Sequence, residues 1–466
     1  MDKPNSHELP TDRLATTDEQ GRRVYLYPAD VRGKYRSMRS WLSIGLLLIF
    51  LALPWLKIHG HPAVLLDIPH RRFALFGLTF WAHEVPMLFF VAAIAVLTLF
   101  LVTAVWGRVW CGWACPQTVF VDAIFRRIEH WVEGDGIVRR RLDEAPWTGA
   151  KAFKKVLKWS LFALVSLVIS HSFLAYFVGP EELGRMMLRS PSDSPAAFLI
   201  MAGMFGAVLF DFGWFREQFC TVVCPYGRFQ SVLMDDTSKA VTYDAKRGEP
   251  RRGLAVPGSS GGDCVNCYRC VQVCPTGIDI RRGLQMECIG CTACIDACDE
   301  VMSKVKKPAG LIRYMQGKTI SSRGWVYAAL LLILVSSFAI VLARRKTVEL
   351  AIIRAPEAPY QEIEGARVIN HFKLDLANQG FEDLAVEFAL KGPGSARKIV
   401  VSNHAAVLSG GQAERADLFI ETPKADFHEG RALVEIVMTA RTLENGNNGA
   451  ALQSTSTEVR LVGPYR

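Results

Sequence analysis

No cysteine precedes Cys111 and none follows Cys298 in this 466-residue chain. That absence excludes disulfide bonds from the N-terminal segment and from everything beyond position 298. There is no Cys-x-x-Cys-His run, so covalent haem attachment is excluded as well. Thr148-Gly149-Ala150-Lys151 lacks the final Thr of the Thr-Gly-Ala-Thr signature of covalently held FMN, so flavin is discounted. Basic residues are not interleaved with aromatics, and the net charge of +9 therefore does not point to nucleic acid. Charge itself is missing over long stretches: residues 86–106 carry none across 21 positions and residues 159–178 none across 20. A cleavable signal peptide is not expected, because the first apolar run starts about 40 residues in and lacks a small-residue cleavage site.

What is present follows from those uncharged runs. Residues 41–56, 86–106, 159–178, 195–210 (continuing to Phe215) and 325–343 give five apolar segments. A helix needs about 20 such residues to cross the hydrocarbon core, so five spans are predicted, the first liable to kink at Pro54. Lys and Arg sort by loop. Residues 1–40 hold eight, 107–157 nine and 213–324 sixteen, whereas 57–85 hold three and 179–194 two. The positive-inside rule then puts the N-terminus, the 107–157 loop and the 213–324 segment in the cytoplasm, and the C-terminal region outside. Arg344-Arg345-Lys346 runs against this locally and is outvoted by the four loops.

All twelve cysteines fall in four motifs. The central ones are Cys264-x2-Cys267-x2-Cys270-x3-Cys274-Pro275 and Cys288-x2-Cys291-x2-Cys294-x3-Cys298, the bacterial ferredoxin run written twice. Three cysteines of each run reach one cubane and the fourth crosses to the other. Cys264, Cys267, Cys270 and Cys298 are thus expected to hold one 4Fe–4S cluster, and Cys274, Cys288, Cys291 and Cys294 the second. A zinc ribbon uses paired Cys-x2-Cys units and does not explain the three-plus-one grouping. Asp299 stands where a second proline is usual, which alters a turn and not a ligand.

The other motifs, Cys111-x3-Cys115-Pro116 and Cys220-x3-Cys224-Pro225, end the second and fourth spans. An aromatic precedes the first cysteine of each (Trp110, Phe219), and a Phe lies five residues beyond the second (Phe120, Phe229), so the two hairpins read as a parallel internal repeat. Residues four apart share a helix face, so each pair can point to one side, and packed hairpins would bring all four thiols together. Inert membrane cysteines, redox dithiols and a metal site, copper or iron–sulfur, all remain open. His59, His61, His70 and His171 are candidate ligands for copper, haem or quinone, with solvated or helix-satisfied histidines as the plainer alternative.

The domain reading is a mobile cytoplasmic tail (1–40), a four-span membrane domain (41–215) and a cytoplasmic ferredoxin-like α+β insert (216–324). A fifth span (325–343) and an all-β immunoglobulin-like sandwich (344–466) complete it. Seven period-two runs at 348–353, 367–376, 385–390, 398–402, 416–420, 432–438 and 456–462 supply the strands of the last, and 247–263 reads as a linker.

Assembled, the pattern resembles the FixG/RdxA/CcoG family of cytochrome oxidase accessory proteins. The resemblance is carried by Cys111–Pro116, Cys220–Pro225, and Cys274-Pro-Thr-Gly-Ile-Asp-Ile-Arg-Arg-Gly-Leu-Gln285 through Cys298-Asp-Glu-Val-Met302. It implies an inner-membrane protein with two 4Fe–4S clusters that serves maturation of a cbb3-type oxidase by reducing Cu(II) to Cu(I). Cys111, Cys115, Cys220 and Cys224 would be the copper and reaction site. Its partners would be a cytosolic electron donor, a copper transporter or chaperone, oxidase subunits and the lipid bilayer, with homo-oligomerisation open. The alternatives are a quinol-linked electron-transfer module and a non-catalytic assembly scaffold.

Overall fold

The computed structural model describes residues 16–465 apart from 19, 59–60, 70–71, 82–84, 236, 253–260, 316–320, 357, 364–365, 381, 392–396, 403–406 and 445–446. The chain forms two compact units, residues 1–56 with 89–336, and residues 57–88 with 337–466. Among the described residues, five helices are long and apolar enough to cross a membrane: Lys34–Ala52, Val85–Trp106, Gly149–Val178, Pro195–Phe210 and Ser322–Ala343.

The first of these begins inside the basic stretch, because its polar turns are neutralised by the rest of the unit. Asp296 accepts the backbone N–H of Tyr35 at 3.2 Å and of Arg36 at 2.7 Å, and the Arg36 and Arg39 side chains both donate to Asp122. Pro54 does not kink the helix but lies in the 3₁₀ turn Leu53–Trp55 that ends it. The third spanning helix also starts early, at Gly149, where the Thr148 hydroxyl accepts the Lys151 N–H at 3.2 Å. Its charged turns are held by Glu133, which pairs with Lys155 at 2.8 Å and Lys158 at 3.0 Å.

Between the two hairpins Phe120, Phe125, Phe162 and Phe212 form an aromatic core, with Phe120 stacked on Phe212 at 5.3 Å. Beneath it Glu129 accepts two hydrogen bonds from Arg216, at 2.9 and 2.7 Å, and further ones from Arg139 and Tyr25. Burial alone would push the Glu129 carboxyl up, but Arg216, Arg139 and Lys158 outweigh it and hold the group at about 2. Arg216 adopts φ 54°, a conformation that a non-glycine residue keeps only when such partners fix it.

The mobile-tail reading fails for the described part of the N-terminus. Tyr25 and Tyr27 donate to Glu129 and Asp143, and the Ala29 N–H reaches the Gln272 carbonyl at 2.9 Å. This segment straps the helices after Cys115 to the cysteine-rich insert. In the insert, strand Val241–Tyr243 pairs antiparallel with Ile312–Tyr314, and with helices Arg269–Gln272 and Ala293–Lys304 they close a core of Val241, Ile278, Ile280, Ile295 and Ile312.

The second unit is β-rich. Residues 57–85, read from the sequence as a loop, contain the antiparallel meander Val64–Asp67, Arg72–Leu75 and Leu78–Trp81. Its second turn puts Phe76 and Gly77 at φ 50° and 86°, the two-residue turn whose twist suits a hairpin. His59 and His70 lie outside the described residues. Beyond residue 346 a five-stranded sheet orders Lys398–Val401, Ala413–Pro423, Arg367–Asn378 and Val348–Arg354, with Gln361–Ile363 also on Arg367–Asn378. A four-stranded sheet orders Val407–Leu408, Leu384–Lys391, Arg431–Glu444 and Asn447–Val462. Alternate residues of both sheets, such as Phe372, Leu374, Leu418, Ile436 and Met438, share one buried core. Six of the seven predicted runs fall wholly in these strands, and 398–402 overruns its strand by Ser402; 361–363 and 407–408 are too short to show a period.

Candidate metal centres

The eight ferredoxin cysteines line two chambers. One is bounded by Cys264, Cys267, Cys270 and Cys298, the other by Cys274, Cys288, Cys291 and Cys294, with Cys270 in the wall of both. Cys298 lies in the wall with the first run's trio, and Cys274 in the wall with the second run's. The two loops curl for the same reason. Asn266 and Gly290, just before the middle cysteine, and Tyr268 and Thr292, just after it, all adopt left-handed φ between 54° and 67°. Such residues reverse the chain direction at each step, so that side chains two and three apart face one interior. Asp299 in place of proline lets helix Ala293–Lys304 run on through Cys298, and its carboxylate accepts the Gly310 N–H at 2.8 Å.

Four sulfur donors around each chamber is the donor set a cubane requires, and the sulfurs of a cubane sit on separate iron corners. Among the described residues no set of three His, Cys, Asp or Glu side chains is placed to hold a single metal ion. Burial pushes Cys288 and Cys298 up to about 12, with neighbouring thiols adding at Cys288 and the Asp299 carboxylate, then the thiols, adding at Cys298. Thiols of that kind release their protons on binding metal.

The membrane-edge motifs have one local geometry, and it is not the α-helical one that the spacing suggested. Trp110–Ala114 and Phe219–Val223 are π-helical turns, closed by Cys115 N–H to the Trp110 carbonyl and Cys224 N–H to the Phe219 carbonyl, both at 2.8 Å. Cys115 and Cys224 are themselves extended and cap helices Pro116–Phe120 and Pro225–Leu233 at their N-termini, with proline first. Proline forces the preceding cysteine out of the helix, and the widened turn absorbs the change.

The repeats grip each other reciprocally. Gln117, two residues after Cys115, donates to Asp211 at 3.0 Å in the other repeat, while Tyr226, two after Cys224, bonds Thr103 in the first. Gln230 donates to Cys111 Sγ at 3.1 Å. The four thiols share one neighbourhood: burial pushes Cys111 up to about 12, with Cys115 and Cys224 adding to the rise, and Cys220 still higher, with Cys115 and Cys111 adding. They do not form a closed single-ion site as placed.

This thiol group abuts the second chamber. A Cβ on Gly112 would stand 2.5 Å from the Gly290 carbonyl oxygen, so the backbones of the Cys111 motif and the Cys288–Cys291 loop touch. Arg108 donates to the Cys288 carbonyl and Arg39 to the Cys291 carbonyl, each at 2.7 Å. Arg39 and Arg108 enter the sequence reading only in the basic-residue count; Arg108 stands three residues before Cys111, whereas Arg39 is distant from every motif.

His171 does not join these groups. Its Nδ1 donates to the Leu167 carbonyl oxygen at 2.8 Å. It lines a separate cavity of about 240 Å³ with Met186, Met187 and Met201. His61 has a described backbone position only.

Three family models match parts of the chain, one of them across the Cys111 motif. Residues 215–317 match a family described as a 4Fe-4S dicluster domain, residues 88–142 a 4Fe-4S binding domain, and residues 338–464 the IG-like fold at the C-terminus of FixG. Protein RdxA of Cereibacter sphaeroides is 35% identical over 400 residues, covering 80% of this chain and 84% of that protein. Nitrogen fixation protein FixG of Rhizobium meliloti is 40% identical over 306 residues, covering 63% of this chain but only 57% of that protein. The ferredoxin-type protein NapH of Haemophilus influenzae is 25% identical over 290 residues, covering 57% of this chain and 87% of that protein.

Proposed function

The chain belongs to the FixG/RdxA family, a multi-pass membrane iron–sulfur electron-transfer protein with two 4Fe–4S clusters, and on that premise we propose that it reduces Cu(II) to Cu(I) for assembly of a cbb3-type cytochrome c oxidase. Cys264, Cys267, Cys270 and Cys298 hold one cluster, and Cys274, Cys288, Cys291 and Cys294 the other. When bound, the clusters supply electrons one at a time, and Cu(II) takes up one to become Cu(I). The substrate ion is held at Cys111, Cys115, Cys220 and Cys224, because soft thiolates retain Cu(I). The observation that carries this reading is the backbone contact between Gly112 and Gly290, which seats the thiol group against the loop of the second chamber.

Loop charge sets the orientation: N-terminus and cysteine-rich insert in the cytoplasm of the inner membrane, the immunoglobulin-like domain in the periplasm. A cytosolic donor reaches the insert, and a copper transporter or chaperone and oxidase subunits complete the route. The test is anaerobic stopped-flow mixing of the chemically reduced protein with Cu(II). Reoxidation should be fast in the wild type and lost in C111A/C220A with iron content unchanged; equal rates in both would refute the site.

A quinol-linked electron-transfer role is the second reading. It is favoured by the His171 cavity, a mostly apolar recess of about 240 Å³ with one imidazole in its wall, which suits a quinol ring and hydroxyl. Reoxidation by a quinone but not by Cu(II), lost in H171L, would establish it. A reduced protein that meets no acceptor at all would instead mark a non-catalytic scaffold.

A further inference from the structure

A further cavity lies outside both cysteine chambers and touches the second only at Cys291. It has a volume of about 460 Å³ and lies where the N-terminal strap, the start of the first spanning helix and helix Arg126–Glu133 meet the loop carrying Cys291. Six arginines line it, Arg32, Arg36, Arg39, Arg126, Arg127 and Arg139, against two carboxylates, Asp30 and Asp122.

Four of the arginines are committed. Arg36 and Arg39 share Asp122, Arg126 pairs with Glu217, and Arg139 pairs with Glu129. Asp30 is taken by His130 at 2.6 Å. Arg32 and Arg127 are exposed and have no ion-pair partner among the described residues. Arg139 is only 5% exposed, yet its Nε finds no acceptor. A buried guanidinium N–H without an acceptor is uncommon, and here it belongs to a residue of the cavity wall.

We propose that this cavity binds a phosphate-ester anion. Its fixed guanidinium donors come from three separate segments and so surround a ligand, which suits the several oxygens of a phosphate better than a planar carboxylate. Among the described residues no Phe, Tyr or Trp lines the wall, and its one imidazole, His130, is held by Asp30, so the lining suits the phosphate itself better than a stacked base. Arg36 and Arg39 occupy the first turns of a helix whose apolar stretch begins at Trp41, which is head-group level in a bilayer. The ligand chemistry therefore has two sources, an anionic phospholipid head group or a soluble phosphate ester. Either would tie the strap and the membrane helices to the cysteine-rich insert, and would place negative charge beside Cys291. The inference does not depend on what the clusters reduce.

The test uses the full-length protein in nanodiscs. Phosphatidylglycerol retained from mixed-lipid discs is counted by native mass spectrometry, and pyrophosphate is titrated calorimetrically in phosphatidylcholine discs. The variant R32Q/R127Q should weaken whichever ligand binds, on the order of 30-fold for two arginines. The exposed pair in R140Q/R141Q, which removes the same charge outside the cavity, should leave binding unchanged. Selective retention of phosphatidylglycerol assigns the head group, and pyrophosphate binding without lipid preference assigns a soluble ester. Binding of neither, or equal weakening by both variants, overturns the proposal.

Discussion

Asp296 caps Arg36. The carboxylate, on the helix that also carries Cys294 and Cys298, accepts the Arg36 N–H at 2.7 Å at the first turn of the first spanning helix. An uncapped helix start leaves N–H groups unsatisfied, and losing a cap costs about 0.5–2 kcal/mol. D296A should therefore lower the melting temperature of the purified protein, with D296N intermediate because its amide oxygen still accepts one N–H. Gly33, immediately before the helix, leaves no space for a Cβ against Asp296, so G33A should give a loss of the same sign. An unchanged melting temperature in D296A would show that the cap contributes nothing.

A second outcome concerns Gly112. A Cβ there meets the Gly290 carbonyl oxygen at 2.5 Å and the Ile289 carbonyl oxygen at 2.8 Å, both backbone atoms that cannot rotate aside. G112A should keep its iron, since no chamber cysteine changes, yet show reoxidation by Cu(II) slowed several-fold. Normal iron with a normal rate would mean that the two loops need not touch.

The parts legible in the sequence are those written as periods and spacings. The two cysteine runs carry their own crossover, visible as Cys298 beside Cys264 and Cys274 beside Cys288. The strand alternation at 367–376 survives as the buried face of Phe372, Leu374 and Leu376. The π turns at Trp110–Ala114 and Phe219–Val223 were not legible, because i, i+4 spacing fits an α-helix equally well. Nor were the helix starts at Lys34 and Gly149. Hydropathy marks where a helix is apolar, whereas these first turns are polar and stabilised by Asp296, Asp122 and Glu133 from distant segments.

Acid should act on the unit that holds the cysteines through Glu129. Its carboxyl is held at about 2 in the folded protein, against about 4.5 unperturbed. A depressed folded value means that the stabilisation is fully present above about 4.5 and is lost as pH falls toward 2. The amount is on the order of 3 kcal/mol. E129Q should be less stable than wild type at neutral pH by about 3–5 kcal/mol, because Arg216 and Arg139 lose their counter-charge while buried. Melting followed by circular dichroism from pH 5 to pH 3 should fall in the wild type and stay flatter in E129Q. Parallel curves would remove Glu129 as the titrating group.

Copper retention separates the two classes of cysteine. The four membrane-edge thiols share one neighbourhood but are outside both chambers, so a quadruple serine variant at Cys111, Cys115, Cys220 and Cys224 leaves the chamber donors intact. Serine is a harder donor than thiolate and holds Cu(I) poorly. Anaerobic protein incubated with Cu(I) and desalted should retain copper as wild type and lose most of it as the variant, with equal iron in both. The inverse variant C264S/C288S should lose iron and keep copper, since it touches only chamber ligands. Copper lost together with iron in the first variant would instead place those four thiols among the iron ligands, and the copper site would have to be sought elsewhere.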